Sequence, residues 1–347
     1  MSTYDERLRS ALLEQHRRWF DYQSGGIRGE VAEAIDCPVC GSRNRSLYFV
    51  KDMFRFERCG DCSMVFLNPR LNVRATYAFY NSEWTAIYNE SKFEGTSSSR
   101  AEDDRINAAN LELISRYRHG GAPRTLLEIG FGGGYFLQAA RDRGYDVYGI
   151  DVDASNHARA APAFGDHVKN CDLFDAGFAE GQFDVVYMRD VFEHVPNPRS
   201  LLAEVNRVSR KDAVLFIEVP NIDGLIYKIV GKRHVCVFGF AHLNYWSPAS
   251  IETVLRLSGY ETVVVVHESA DFTLAEIVRY FLEPAFTTVD AAQPNVLVKF
   301  PLKMARRVLS IGWIRDLDRR FTPRIADALR RGSVIRVIAR KARPPAG

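Results

Sequence analysis

The chain has 347 residues, 46% of them apolar and 26% charged; the length suits about two domains of roughly 150 residues, and the composition excludes wholesale disorder, a collagen-like repeat or a disulfide-dense miniature scaffold. No apolar run approaches the roughly 18 residues of a membrane span, and the opening MSTYDERLRS lacks the apolar stretch of a secretory leader, so the expected location is cytoplasmic. The net charge of +3 is unevenly divided: residues 301–347 hold 13 Lys/Arg and 3 Asp/Glu, and residues 1–300 hold 33 and 40. That asymmetry points to an anionic partner for the C-terminal part or to a solvated basic face.

In chain order, residues 3–22 carry Leu8, Leu12, Leu13, Trp19 and Phe20 among charges and read as an amphipathic helix within an N-terminal segment, 1–34. Residues 35–70 follow with Cys37-x2-Cys40 and Cys59-x2-Cys62, separated by the 18 residues from Gly41 to Arg58. Without an export signal, paired CxxC turns are metal clips rather than disulfides. Four thiolates close a tetrahedral Zn²⁺ shell with no open position, so the expected role of the metal is structural. Segment 71–102 begins with a helix whose Tyr77, Tyr80, Trp84 and Tyr88, spaced by three and four, are expected on one face. It ends in the polar stretch EGTSSSRAEDD, read as a linker.

From 103 the pattern becomes strand–helix alternation. A helix around 103–118 leads to the strand RTLLEIG, a glycine loop and a helix from about 134 to 143. DVYGID, a helix near 154–161, a short strand near 166–170, FDVVYM, a helix near 198–208 and AVLFIEV follow, with ETVVVVH and SVIRVIAR as final strands. Val/Ile/Leu-rich strands alternating with helices predict a mostly parallel, doubly wound, Rossmann-like α/β sheet with helices on both faces. The core is placed at 103–271, with a mostly helical basic insertion at 272–331 and a last core strand and tail at 332–347. Within the insertion, LVKFPLKMARRVLSIGWI mixes basic and apolar residues in the manner of a peripheral membrane segment.

The chemistry concentrates in LLEIGFGGGYFLQAARDRGYDVYGIDVD, 126–153. A strand runs into Gly130-Phe131-Gly132-Gly133-Gly134 and then a helix, the arrangement that lets a ligand approach main-chain atoms at a helix N-terminus. Asp151 ends the next strand, placed to accept from ribose hydroxyls. A dinucleotide loop needs a small residue three beyond Gly132, where Tyr135 stands, and the phosphate-binding G-x-x-x-x-G-K-[ST] is missing. The loop reads E-x-G-x-G-x-G from Glu128.

On these residues the chain resembles the class I S-adenosylmethionine-dependent methyltransferases over about 103–270 plus the final strand. The resemblance implies a seven-stranded sheet and a cofactor-binding set of Glu128, Gly130, Phe131, Gly132, Gly134, Asp151, Val152, Asp172, Leu173 and Arg189. In that set the glycines pass the methionine and ribose, Asp151 holds the ribose and Asp172-Leu173 sits by the adenine. The preceding CPVCG…CGDCSMVFLNPR and the later FEHVPNP, EVPN and HLNYWSPASIETVLRLSGY look most like the branch with an N-terminal zinc ribbon, which includes deoxysugar C-methyltransferases. Where those enzymes resemble Y-x-E-H, this chain reads Gly239-Phe240-Ala241-His242, so only His242 carries over.

Methyl transfer to a hydroxyl or acidic carbon needs a base, for which His242 and then His194 are the candidates; each also reads as a hydrogen-bonded structural histidine. Asp190-x-x-Glu193-His194 is similar to the stretch with which quinone O-methyltransferases hold a divalent ion, or is simply a set of acids at a helix start. The expected activity is methylation, at oxygen, of a small or medium-sized metabolite that is anionic or carrier-linked. The alternatives are an RNA methyltransferase that reads through the ribbon and a non-catalytic module of the same fold. The ribbon region is only mildly basic, which speaks against nucleic acid as partner.

Overall fold

The computed structural model describes residues 3–93, 97–117, 124–269, 272–283, 288–289 and 296–342. Two compact units are formed, each from several chain segments. One comprises Met1–Ile87, Pro220–Ile251 and Val266–Ile335, the other Tyr88–Val219, Glu252–Val265 and Arg336–Gly347.

The second unit is built on the expected α/β sheet. Its strands are β1 (Thr125–Ile129), β2 (Asp146–Ile150), β3 (Val168–Lys169), β4 (Phe183–Arg189), β5 (Ser209–Pro220), β6 (Tyr260–Glu268) and β7 (Val334–Lys341). Their order across the sheet is β3-β2-β1-β4-β5-β7-β6. The pairings of β3 with β2, β2 with β1, β1 with β4 and β4 with β5 are parallel. Register places Val147, Leu126, Val185 and Val214 in one row. Such strands are apolar on both faces because helices cover both. On one face Phe136, from the helix after the glycine loop, stacks on Tyr187 with ring centroids 3.5 Å apart, and Tyr187 stacks on Phe216 at 4.7 Å. Leu111 and Ile114, from the helix Ser97–Tyr117, join the same buried cluster.

The polar stretch read as a linker is helical from Ser97 onward; no Gly or Pro interrupts 97–117, and residues 94–96 lie outside the described ones. The aromatic stripe at 77–88 is not one face of one helix. The chain breaks between Val73–Tyr80 and Glu83–Phe93, where Asn81 caps the first helix and the Ser82 carbonyl receives the Ala86 N–H. Tyr77 is consequently exposed and Trp84 buried.

The first unit contains the ribbon. Strands Arg45–Lys51, Phe54–Cys59 and Val65–Leu67 pair antiparallel, and a fourth, Asn244–Tyr245, adds beside Val65–Leu67 with Asn244 opposite Phe66. A sheet this small buries little by itself. Phe20, which follows the helix Thr3–Trp19, and Phe240 meet Phe54 edge-on at 4.7 and 5.0 Å, completing an aromatic core. Among the described residues no helix is long and apolar enough to cross a membrane.

Candidate cofactor cleft and metal centre

The glycine loop lies where the reading of 126–153 puts it. β1 delivers Glu128, the main chain turns at Gly130, and a helix starts at Tyr135. Gly130 has φ +76°, and a Cβ there would collide with Val191 Cγ2, so both the backbone and the neighbour require glycine. Gly132 differs: a Cβ would find nothing within 4 Å, which leaves open space beside the loop. The Phe131 side chain belongs to the buried core cluster.

Asp151 follows β2 and is 8% exposed. Its carboxylate accepts the Gly132 N–H at 2.8 Å, the Asp153 N–H at 2.9 Å and the Asn156 amide at 3.2 Å. It therefore pins the loop to the end of β2, and Asn156, unforeseen in the sequence, supports it one helical turn on. Burial pushes the Asp151 carboxyl above the ordinary range, against the pull of those main-chain donors. Glu128 is more deeply placed, and burial raises it well above its usual value with Arg189 opposing and Asp151 adding to the shift. Its Oε2 is buried with no hydrogen-bond partner among the described residues. An orphaned buried carboxylate oxygen beside an open loop is an acceptor waiting for a donor.

The remaining positions divide. Val152 is exposed and Leu173 buried. Asp172 Oδ1 is engaged by the N–H groups of Phe174 and Asp175, an Asx turn that shapes its own loop. Arg189, at the end of β4, lies 3.2 Å from Asp103 and 3.2 Å from Glu218, so its guanidinium is held by carboxylates of its own unit. Asp190, at φ +55°, leads into a turn rather than a helix start; the next helix begins at Pro198. His194 Nε2 lies 3.9 Å from the buried Glu193 carboxylate. His242 belongs to the first unit, in the turn before Asn244–Tyr245, with its N–H bonded to the Phe238 carbonyl.

The donor set suits a cationic, ribose-bearing amino-acid nucleoside. The acids here, Asp151 on the loop's main chain and the buried Glu128, are the opposite of what a pyrophosphate would need. A carboxylate offers about four acceptor positions, and three are taken, so Asp151 keeps one for a ribose hydroxyl.

Cys37, Cys40, Cys59 and Cys62 converge in the first unit, with all four Sγ within 4.8 Å of one another. The Cys37–Cys62 and Cys40–Cys59 separations are 3.5 and 3.6 Å. The Zn–S distance of about 2.3 Å implies tetrahedral edges of about 3.8 Å, so the cluster matches a closed zinc shell. Hydrogen bonding between the thiols lowers Cys37 and raises Cys62. The fit supports structural zinc.

Residues 100–265 match the family model described as a methyltransferase domain. The ubiquinone biosynthesis O-methyltransferase of Acinetobacter baylyi is 27% identical over 140 residues, 38% of this chain and 59% of that protein. The protein of the same name from Erwinia tasmaniensis is 27% identical over 139 residues, 38% and 57%. The match thus spans less than two thirds of these relatives. A SAM-dependent methyltransferase from Archaeoglobus fulgidus superposes with a TM-score of 0.46 at 18% identity, covering 75% of this chain and 100% of that one. Over residues 100–265, then, the chain matches a methyltransferase domain.

Proposed function

We propose that the protein methylates a small or medium-sized metabolite at oxygen, and that the acceptor is anionic or carrier-linked. The observation that carries the reading is the pairing of open space at Gly132 with the Asp151 carboxylate on the same main-chain N–H. Methylation at oxygen is supported by the names of the curated relatives.

S-adenosylmethionine, when bound, supplies an electrophilic methyl. The chain's own contribution is alignment and proton removal. In this reading Asp151 holds the ribose, Glu128 Oε2 accepts from the cofactor's ammonium end, and Val152 and Leu173 flank the base. Arg189 acts through its hold on Asp103 and Glu218 rather than as an anion ligand. The proton of the acceptor hydroxyl passes to an imidazole, His242 or His194. His194 has Glu193 within its own turn to stabilise the imidazolium.

The test is calorimetric titration of the zinc-loaded chain with S-adenosylhomocysteine, followed by transfer of a labelled methyl group into a metabolite extract and identification of the product. Binding plus a labelled small molecule supports the reading; failure to bind removes it. His242→Ala and His194→Ala assign the base, since the base variant loses turnover while keeping cofactor affinity.

A further inference from the structure

The C-terminal insertion carries a surface that methyl transfer does not explain. The helix Gly312–Ala328 is fixed by its inner side: Asp318 accepts the N–H groups of Leu274 and Ala275 at 2.9 and 3.0 Å, capping the helix Leu274–Leu282, and Ala326 is fully buried. Its outer side carries large apolar residues among its charges. Trp313, Leu317 and Phe321 follow one another at i, i+4 spacing and are 68%, 49% and 49% exposed, so they form one apolar stripe. Met304 and Val308, on the preceding helix Val296–Leu309, are exposed in the same way.

The charges beside this stripe are mostly basic; the exception, Asp316, is exposed three residues after Trp313 and lies 3.9 Å from Arg315. Arg320 and Arg324 stand three residues after Leu317 and Phe321 and flank the apolar row. Lys303, Met304, Arg306, Arg307 and Ser310 line a depression of about 360 Å³ on the neighbouring helix. Among the described residues, Lys303, Arg307, Arg320 and Arg324 make no ion pair. Residues 296–331 hold 10 Lys/Arg and 3 Asp/Glu, and one of the acids is Asp318, already occupied as a cap.

A bare apolar stripe is served by many partners. One that presents an indole and a phenyl ring at the apex, with guanidinium and ammonium groups around it, matches the boundary between acyl chains and anionic headgroups. We propose that the helices Val296–Leu309 and Gly312–Ala328 form a docking surface for an anionic phospholipid bilayer, with Trp313, Leu317 and Phe321 entering the interface and Lys303, Arg307, Arg320 and Arg324 meeting the phosphates. Polar nucleic acid has no use for the Leu317–Phe321 row, and a second copy of the chain would bring like charges together.

The test uses the full zinc-loaded chain without methyl donor, so its result is independent of catalysis. Flotation is measured with vesicles of phosphatidylcholine alone and of phosphatidylcholine mixed with phosphatidylglycerol. Tryptophan emission is recorded alongside, because Trp19, Trp84 and Trp246 are at most 9% exposed and Trp313 is the reporter. The expected result is flotation with the anionic vesicles only, accompanied by a blue shift that Trp313→Phe removes. The double variant Arg320→Glu/Arg324→Glu, folded by circular dichroism, should stay with the soluble fraction. The proposal is overturned by no flotation on anionic vesicles, by undiminished flotation of the charge-reversed variant, or by a blue shift that appears without lipid as the chain dimerises in light scattering. Salt-sensitive binding of an RNA homopolymer with no vesicle binding overturns it equally.

Discussion

Arg336, in β7, donates to Glu218 in β5 at 2.6 Å, with the two side chains 9% and 7% exposed. The same carboxylate receives the Asn110 amide at 3.2 Å and lies 3.2 Å from Arg189, so one buried anion ties three strands to the helix Ser97–Tyr117. Burial raises the Glu218 carboxyl, with Asp190 adding to the shift and Arg336 opposing it. Removing one member of a buried pair leaves the other uncompensated and costs about 3–5 kcal/mol. Arg336→Met should therefore lower unfolding free energy by that amount in denaturant titration, and adding Glu218→Gln should recover part of it. Additive losses would show that the pair is not coupled.

Asp151→Ala removes the pin on the glycine loop and, in the proposed reading, the ribose acceptor as well. Cofactor affinity is expected to fall by about 1.5–3 kcal/mol, the scale of hydrogen bonds to a charged group, read as the dissociation constant of S-adenosylhomocysteine. Asp151→Asn, which keeps one acceptor oxygen, should fall between the variant and the parent. An unchanged constant in both variants would contradict the assignment.

Gly130→Ala combines positive φ with a contact on Val191. A destabilisation of about 1–3 kcal/mol is expected from the backbone conformation, and the side-chain clash adds to it. Val191→Ala in the same chain relieves only the clash, so thermal melting should show a partial recovery. Complete recovery would mean that the φ requirement is weaker than the geometry implies.

The pH dependence follows from two carboxyls that burial raises above 4.5 and 3.8, Glu128 and Asp151. A group with a raised folded pKa contributes stability below its unfolded value, and that contribution is lost as pH rises through the folded value. Acid thus favours the protonated, ligand-free cleft, whereas a cationic ligand requires both groups ionised. Cofactor affinity should drop as pH falls through the raised values, with proton release on binding. Calorimetry in two buffers of different ionisation enthalpy measures that release directly. Equal heats and a flat affinity over the acidic range would refute the linkage.

Zinc analysis should return one ion per chain. Chelation should abolish the ribbon's structure, since binding energy in such sites is folding energy, and Cys40→Ser should reproduce the loss. A chain that melts at the same temperature with and without metal would dismiss the structural role.

Much of the second unit was legible in the residues themselves. Turn chemistry, the alternation of strand and helix, the acid ending β2 and the two CxxC hooks are local, because each depends on neighbours within one turn or one strand. The sequence by itself thus determined the sheet, the loop and the cysteine cluster. It did not determine that Asn244–Tyr245 would close the ribbon sheet beside Val65–Leu67, that Arg336 would neutralise Glu218, or that Asn156 would hold Asp151. Nor did it separate Tyr77 from Trp84, or show that 191–196 turns before its helix begins. Those outcomes were decided by tertiary structure, because they depend on which distant segments bury each other's polar groups and rings, a competition that no stretch of neighbouring residues records. The same holds for Trp313: its spacing from Leu317 is written in the chain, but only the packing of Asp318 and Ala326 turned that row outward.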